Sequence, residues 1–218
     1  MSPNKTALTI FDLDWTLIRK NSSYQFCKYL YRRKVYSHSH MAISLFYRLQ
    51  FHLFNMSLEE LHEKVFRKLL FGFHLPDMVK HVGMFVSEFL PKEINPSAYA
   101  ALKRAQQLGH QTVILSNSPS FLVGPIADFF GVDEWQATQY SVDKDRTLCN
   151  IADLMEGTRK AQYLREARKR LDIPRENVTV YTDSHHDLPL LLEAGNAVVV
   201  NPDKKLLKIA KQNRWSMI

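Results

Sequence analysis

Four short runs of apolar and β-branched residues, Ala7 to Phe11, Thr112 to Leu115, Val178 to Thr182 and Ala197 to Val200, each end on a polar residue. In order these are Asp12, Ser116, Asp183 and Asn201. Runs this short and this uniformly apolar suit strands of a parallel sheet covered on both faces. If all four strands point the same way, their polar ends gather in one crevice, where open α/β sheets bind ligands. A fifth strand is expected around Trp135 to Thr138.

Helical stretches separate the later strands, as βαβ alternation requires. Asn95 with Pro96 starts one helix, and Gly109 closes it after Leu108. Gly131 is expected to stop a helix from Pro125 to Phe130, and Gly195 one from Leu188 to Ala194. Thr158 to Leu171 reads as a charged surface helix ahead of Pro174. The first strand has no such prompt partner: residues 18–92 intervene, hold no convincing strand and look helical throughout. The expected fold class is therefore α/β, a doubly wound, Rossmann-like parallel-sheet core from residues 1–17 and 93–218 with a small α-helical cap domain of residues 18–92.

Within that cap, Ser44, Arg48, His52 and Asn55 recur at helical spacing and leave the rest of the helix apolar, which predicts a broad buried face. Such a face packs between cap helices, or meets a membrane surface or a second subunit. The stretch Met41 to Leu58 is broken by Arg48, Gln50, His52 and Asn55 well short of the ~18 uninterrupted apolar residues of a spanning helix. Met1 to Thr6 lacks the layout of a secretory signal. Cys27 and Cys149 show no CxxC spacing, so neither a disulfide framework nor a cysteine zinc site is indicated, and a cytoplasmic location is expected.

The net charge of +7 favours anionic partners: phosphorylated metabolites, nucleic acid or anionic lipid. The charge is concentrated, with eleven basic against four acidic residues from Arg19 to Lys80. The rest of the chain is therefore near neutral.

A carboxylate at the end of a buried strand, with another two residues on, is costly unless a cation or a substrate proton compensates it. Asp12 and Asp14 fit that description, and alternation along an extended chain turns both toward the crevice; a turn with a helix-capping Asp is the plainer alternative. Asp183 and Asp187 bring two more carboxylates to the same sheet edge. Clusters of carboxylate oxygens suit magnesium, whereas His185 and His186 raise the zinc alternative. Adjacent histidines do not readily face one site, so these two read as exposed or rim residues. Ser116 has no G-x-S-x-G elbow, which points to hydrogen bonding of an oxyanion rather than attack. Backbone N–H groups of Asn117 and Ser118 would add donors. Lys160, by composition alone, is a solvated surface lysine.

With Asp12-Leu13-Asp14-Trp15-Thr16-Leu17, Leu115-Ser116-Asn117-Ser118, Gly157-Thr158-Arg159-Lys160 and Thr182-Asp183-Ser184-His185-His186-Asp187 in this order, the chain resembles the haloacid dehalogenase superfamily. More narrowly it resembles the phosphoserine-phosphatase-like branch, subfamily IB, whose helical cap follows the first motif. The resemblance spans nearly the whole length and extends to Asn201-Pro202-Asp203 and Trp215.

The resemblance implies a magnesium-dependent phosphomonoester phosphatase acting through an aspartyl phosphate. Asp12 matches the nucleophile and Asp14 the general acid and base. Ser116 and Lys160 match the phosphate-binding positions. Asp183 matches the acidic Mg2+ ligand, joined by the Asp12 carboxylate and the Asp14 backbone carbonyl; Asp187 supports the metal shell or Lys160. Asp14 argues against dehalogenation, since members with that chemistry lack the second aspartate.

Two departures stand out. Trp15 occupies a position the family commonly gives to Gly, and the acidic residue often found after the first motif is replaced within Arg19-Lys20-Asn21-Ser22. In relatives that act on phosphoserine an acidic cap residue holds the amine, so a basic cap suits an anionic or uncharged leaving group. The expected partner is a small phosphorylated substrate, with no obligate nucleic acid and with peripheral contact to anionic membrane as an option. The rival from another class is a catalytically weak relative whose basic cap binds anionic lipid or nucleic acid; among enzymes, a lysophospholipid phosphatase is the rival.

Overall fold

Residue 8 opens the first strand, β1 (Leu8–Phe11), buried along its whole length and flanked on both sides by parallel partners. The computed structural model describes residues 5–53 and 56–218. Among them seven strands form one sheet in the order β4-β3-β2-β1-β5-β6-β7. The others are β2 (Gln111–Pro119), β3 (Glu134–Val142), β4 (Leu148–Asp153), β5 (Val178–Thr182), β6 (Asn196–Val199) and β7 (Ser216–Met217). β4 runs antiparallel to β3, and every other pair is parallel. The expected strands are all present, including the fifth. The sequence does not announce β4 and β7: the apolar residues of β4 are interrupted by Asn150 and the strand is half exposed, and β7 is two exposed residues, so neither carries a continuous apolar run.

The helices are α1 (Ser22–Arg32), α2 (His38–Leu53), α3 (Leu58–Val65), α4 (Leu75–Glu93), α5 (Pro96–Gln107), α6 (Ser120–Phe130), α7 (Gly157–Leu171), α8 (Leu188–Glu193) and α9 (Lys204–Asn213). A π-helical turn, Phe66–Leu70, follows α3. Alternation along the strands divides the core between the two faces of the sheet. Leu8, Ile10, Val113, Leu115, Val178 and Val180 pack with α7 and α8 residues such as Leu164 and Leu190. Phe11 and Ile114 face the other way and join a cluster with Phe26, Tyr29, Phe85, Leu122 and Ile126, which reaches from the sheet through α6 into the helices inserted after β1.

Three local expectations change. Asn95 caps α5 as anticipated, accepting from the Ser97 N–H, but Pro125 lies inside α6, whose true start is Ser120. Gly131 ends α6 in the left-handed conformation, φ 65°, as a C-terminal glycine should. Gly195 has a different reason to be glycine: a Cβ there would lie 2.3 Å from the Arg175 carbonyl oxygen, so the backbone approach, not a helix stop, excludes a side chain.

The third change concerns α2. Its one buried described residue is the polar Ser44, while Leu45, Phe46, Leu49 and Leu53 are 48–69% exposed. The broad buried face expected there is not formed, because α1 and α3 take up the other side of the helix. Asn55 and the His52 side chain lie outside the described residues.

The chain leaves the sheet and returns to it side by side. Ile18 and Ile94 form an antiparallel bridge, Arg19 N–H donates to the Glu93 carbonyl (2.7 Å), and Asn95 N–H donates to the Leu17 carbonyl (2.9 Å). No helix among the described residues is long and apolar enough to cross a membrane.

Candidate active site

Pairing beyond β1 sets the position of Asp12: its N–H donates to the Tyr181 carbonyl of β5 (2.9 Å), which carries the parallel ladder one residue past the strand. The Asp12 side chain is thereby held at the carboxyl edge of the sheet and is 10% exposed. Asp183 follows β5 at the same edge, and its carbonyl accepts from the Asp203 N–H (2.9 Å).

Lys160 is the pivot. Although its sequence surroundings suggest a surface lysine, it is 1% exposed, and its Nζ lies 2.6 Å from Asp12 Oδ1 and 2.9 Å from Asp187 Oδ2. Thr182 Oγ1 donates to the same Asp187 oxygen (2.8 Å). The lysine arrives because α7 begins against the 185–187 turn; Gly157 has no room for a Cβ there. Burial opposes the lysine's charge, but Asp12 and Asp187 outweigh it and hold the ammonium above its ordinary range.

The carboxylates feel the opposite pressure. Burial pushes Asp12 up to about 7, with Asp187 and Asp14 adding to the rise and Lys160 opposing it. Burial, then the fields of Asp12 and Asp187, raise Asp183 well above the usual carboxylate range. Thr16 Oγ1 donates to Asp183 Oδ1 at 3.2 Å.

Asp14 stands in different company. Its Oδ1 accepts from the Ser22 N–H (2.7 Å), and its Oδ2 from Ser118 Oγ (2.7 Å) and Asn21 Nδ2 (3.3 Å). Asn21 also caps α1, accepting from the Tyr24 N–H (2.8 Å), so the first helix of the insertion aims its amino end at this carboxylate. Burial raises the Asp14 pKa, and the bonds from Ser118 and Ser22 restrain the rise.

Ser116 is 1% exposed, and its Oγ accepts from the Ser118 N–H (3.1 Å). That engagement corrects one expectation: the Ser118 N–H points inward to Ser116 rather than to a ligand, while the Ser118 hydroxyl serves Asp14. The Asn117 carbonyl is held by Thr138 Oγ1 (2.7 Å) and by His62 Nε2 of α3 (3.1 Å). His62 Nδ1 faces the Leu58 carbonyl (3.0 Å), and burial lowers the histidine's pKa. His185 and His186 sit at the rim: His185 Nδ1 lies 2.8 Å from Asp203 Oδ2, and the His186 ring meets Phe51 at 5.8 Å between centroids. A separate cleft of about 340 Å3, lined by Glu59, Glu63, Phe66, Arg67 and Asp153, contains none of the site carboxylates.

Ser22, Asn21, the Ser118 hydroxyl, Thr16, Thr182 and His62 enter the site without a mark of their own in the sequence. Thr16 and Thr182 stood inside the quoted motifs, and Asn21 and Ser22 inside the stretch marked as a departure. His62 had no local signal, because its partner lies fifty-five residues away.

A divalent cation fits these donors. Asp12, Asp183 and Asp187 outnumber the single buried lysine beside them, and burial drives Asp12 and Asp183 toward protonation. Among the described residues no three His, Cys, Asp or Glu side chains close on one point. Two carboxylates, a backbone carbonyl and waters would suffice for magnesium, which retains part of its hydration.

A doubly wound sheet with a carboxylate-rich site at the carboxyl edge of its central strands is a Rossmann-like core with its ligand crevice at that edge. The chain belongs to the haloacid dehalogenase-like hydrolases, whose family model matches residues 9–192. It is 30% identical over 226 residues to a probable phosphatase of Mycobacterium tuberculosis, covering 100% of this chain and 76% of that protein. It is 29% identical over 234 residues to a histidinol-phosphatase of Neisseria meningitidis, covering 97% of each. A Bordetella pertussis protein of unknown function shares the fold with a TM-score of 0.85 at 21% identity, over 98% of both chains. A phosphoserine phosphatase solved as a phospho-aspartyl intermediate analogue superposes with a TM-score of 0.67 at 17% identity, covering 98% of this chain and 92% of that one. That likeness is one of fold, shared across a phosphoserine phosphatase and this chain.

Proposed function

We propose that this enzyme is a magnesium-dependent phosphomonoester phosphatase that forms an aspartyl phosphate on Asp12 and acts on a small phosphorylated metabolite. The observation that carries the reading is the unlike surroundings of two aspartates two residues apart. Asp12 contacts a buried ammonium at 2.6 Å, whereas Asp14 is held by hydroxyl, amide and backbone donors. The ammonium favours the ionised, nucleophilic form of Asp12 against the burial that raises its pKa. Asp14, its pKa raised by burial and without a cation in hydrogen-bond contact, is left as a carboxyl group that can exchange a proton.

In this scheme an Asp12 oxygen forms a bond to phosphorus while the bond from phosphorus to the ester oxygen breaks. Asp14, protonated at the outset, gives its proton to the departing alkoxide. Asp14 then accepts a proton from the water that attacks phosphorus, the bond to Asp12 breaks, and inorganic phosphate leaves. Lys160, the Ser116 hydroxyl and the Asn117 N–H would hold the non-bridging oxygens of the phosphoryl group as it is transferred. Magnesium, bound by the Asp12 and Asp183 carboxylates and the Asp14 backbone carbonyl, would supply the positive charge that lets a phosphate dianion approach a carboxylate. Asp187 would fix the lysine. Residues 18–92 would act as a cap that opens for substrate and closes against water.

Relatives bearing the names histidinol-phosphatase and phosphoserine phosphatase support a small ester as substrate. The basic cap and the lack of an acidic residue after the first motif favour an anionic or uncharged leaving group over an amine. The test is hydrolysis of p-nitrophenyl phosphate with and without magnesium. Turnover should depend on the ion and fall by ~10³-fold or more in Asp12→Asn; undiminished turnover by that variant would remove the nucleophile assignment. A panel of phosphomonoesters compared by kcat/KM then ranks substrates.

A further inference from the structure

We infer that the exposed face of α2 is a docking surface for anionic lipid bilayers. The face is built of Ala42, Leu45, Phe46, Leu49 and Leu53, all exposed, at the i, i+3, i+4 and i+7 spacing that places them within about a 100° arc of the helix. The polar Ser44 is turned inward, so the helix is amphipathic with its apolar side toward solvent. Isolated exposed leucines are ordinary on protein surfaces, but a continuous apolar stripe on one helix marks an interaction site.

Charge selects the occupant. Between Trp15 and Leu58 the chain has seven lysines and arginines and no aspartate or glutamate. Arg48 flanks the stripe, stacked over Tyr24 at 4.7 Å, and the end of α1 and the turn leading into α2 expose Arg32 and Lys34 respectively, which have no carboxylate partner among the described residues. Arg33 is paired with Glu88. An apolar stripe beside unpaired cations is the pattern of a helix that lies in the interface of an anionic bilayer. A second copy docked on the same face would add a second set of these cations with no carboxylate from residues 15–58 to offset them, which like-charge repulsion disfavours. Nucleic acid would use the cations but leave the leucines without a role. The opposite side of α2 carries Phe51, which meets His186, so docking would also fix the active-site rim relative to the bilayer. This inference stands whether or not the enzyme is a phosphatase.

The experiment is sedimentation of the full chain with vesicles of phosphatidylcholine alone or with one third phosphatidylglycerol, at low and high salt. Binding is expected to the anionic vesicles only and to weaken with salt. Phe46→Ser with Leu49→Ser should reduce the partition coefficient at least ~tenfold, and Arg32→Glu with Lys34→Glu should do the same, with thermal unfolding of both variants unchanged. In Phe46→Trp the emission should shift to the blue on adding anionic vesicles. No binding at low salt, equal binding to neutral vesicles, or binding untouched by the apolar substitutions would overturn the inference. So would a dimer that the Phe46/Leu49 variant dissociates, in the absence of vesicle binding.

Discussion

Gly157 stands so close to the backbone of His186 that a Cβ on residue 157 would lie 1.9 Å from the carbonyl oxygen. This approach seats the first turn of α7 against the 185–187 turn. Lys160, three residues further on, meets Asp187 at 2.9 Å as a result. One glycine therefore couples two motifs that are far apart in sequence.

Gly157→Ala should accordingly act on the site through the backbone. Making room means moving α7 away from the 185–187 turn, which should destabilise the protein by about 1–3 kcal/mol as overpacking does. The lysine moves with it, and a misplacement of about 1 Å should lower kcat/KM ~10²-fold. Urea denaturation and steady-state kinetics check the two effects. Native values for both would show the contact to be slack.

The carboxylate cluster makes stability depend on pH and on magnesium together. A carboxyl whose pKa is raised on folding adds stability below its unfolded value, ~4, and loses it as pH rises through the folded value. For Asp12 that folded value is about 7, and Asp14 and Asp183 shift in the same direction. In the ion-free enzyme these groups should therefore weaken the fold progressively between about pH 4 and pH 7, and a bound cation should reverse the loss. The rise in Tm on adding magnesium should be small near ~pH 5 and larger near ~pH 8. Calorimetry with magnesium or with chelator measures it; an equal rise at both values would contradict the assignment of these carboxylates to an ion.

Ser118→Ala tests the positioning of Asp14. The hydroxyl donates to Asp14 Oδ2 at 2.7 Å and in turn meets Ser23 Oγ at 2.7 Å and Ser22 Oγ at 3.2 Å. Loss of that bond removes a restraint on an already raised pKa. With p-nitrophenyl phosphate, whose leaving group needs little protonation, the proposed mechanism requires Asp14 mainly as the base that activates water. The acid limb of the kcat profile should therefore move to higher pH, with ~10-fold lower kcat on the acid side and a smaller loss at high pH. A uniform loss across the profile would indicate a merely structural role.

The sheet was legible wherever a strand is buried on both faces, because burial there forces a run of apolar residues. β5 begins and ends where expected, and β1 differs by one residue. β4 and β7 were not legible, since an edge strand half in solvent has no such constraint. In the site, residues at strand ends could be read from pattern, but the burial of Lys160 could not. Its burial depends on α7 approaching a turn twenty-five residues away, and composition around it gives a solvated lysine.

Trp15 shows a different limit. Its φ is 66°, in the left-handed region, which explains why a Gly is common at that position; a tryptophan there holds a backbone conformation that its side chain disfavours. A dihedral angle leaves no trace in one sequence. The side chain, 44% exposed beside the aspartate pair, is free of the core. The exposed stripe on α2 was misread for a related reason: periodicity reports that a helix has two faces, and only the placement of its neighbours decides which one meets water.

The bridge between Ile18 and Ile94 has a topological consequence. Because the two crossings lie side by side, everything between them is, to the sheet, a loop whose ends are already joined. The entropy of closing such a loop grows only with the logarithm of its length. Lengthening, shortening or exchanging the inserted helices therefore leaves the register of β1 between β2 and β5 nearly undisturbed. A lineage could refashion what covers the aspartates without rebuilding the strands that hold them.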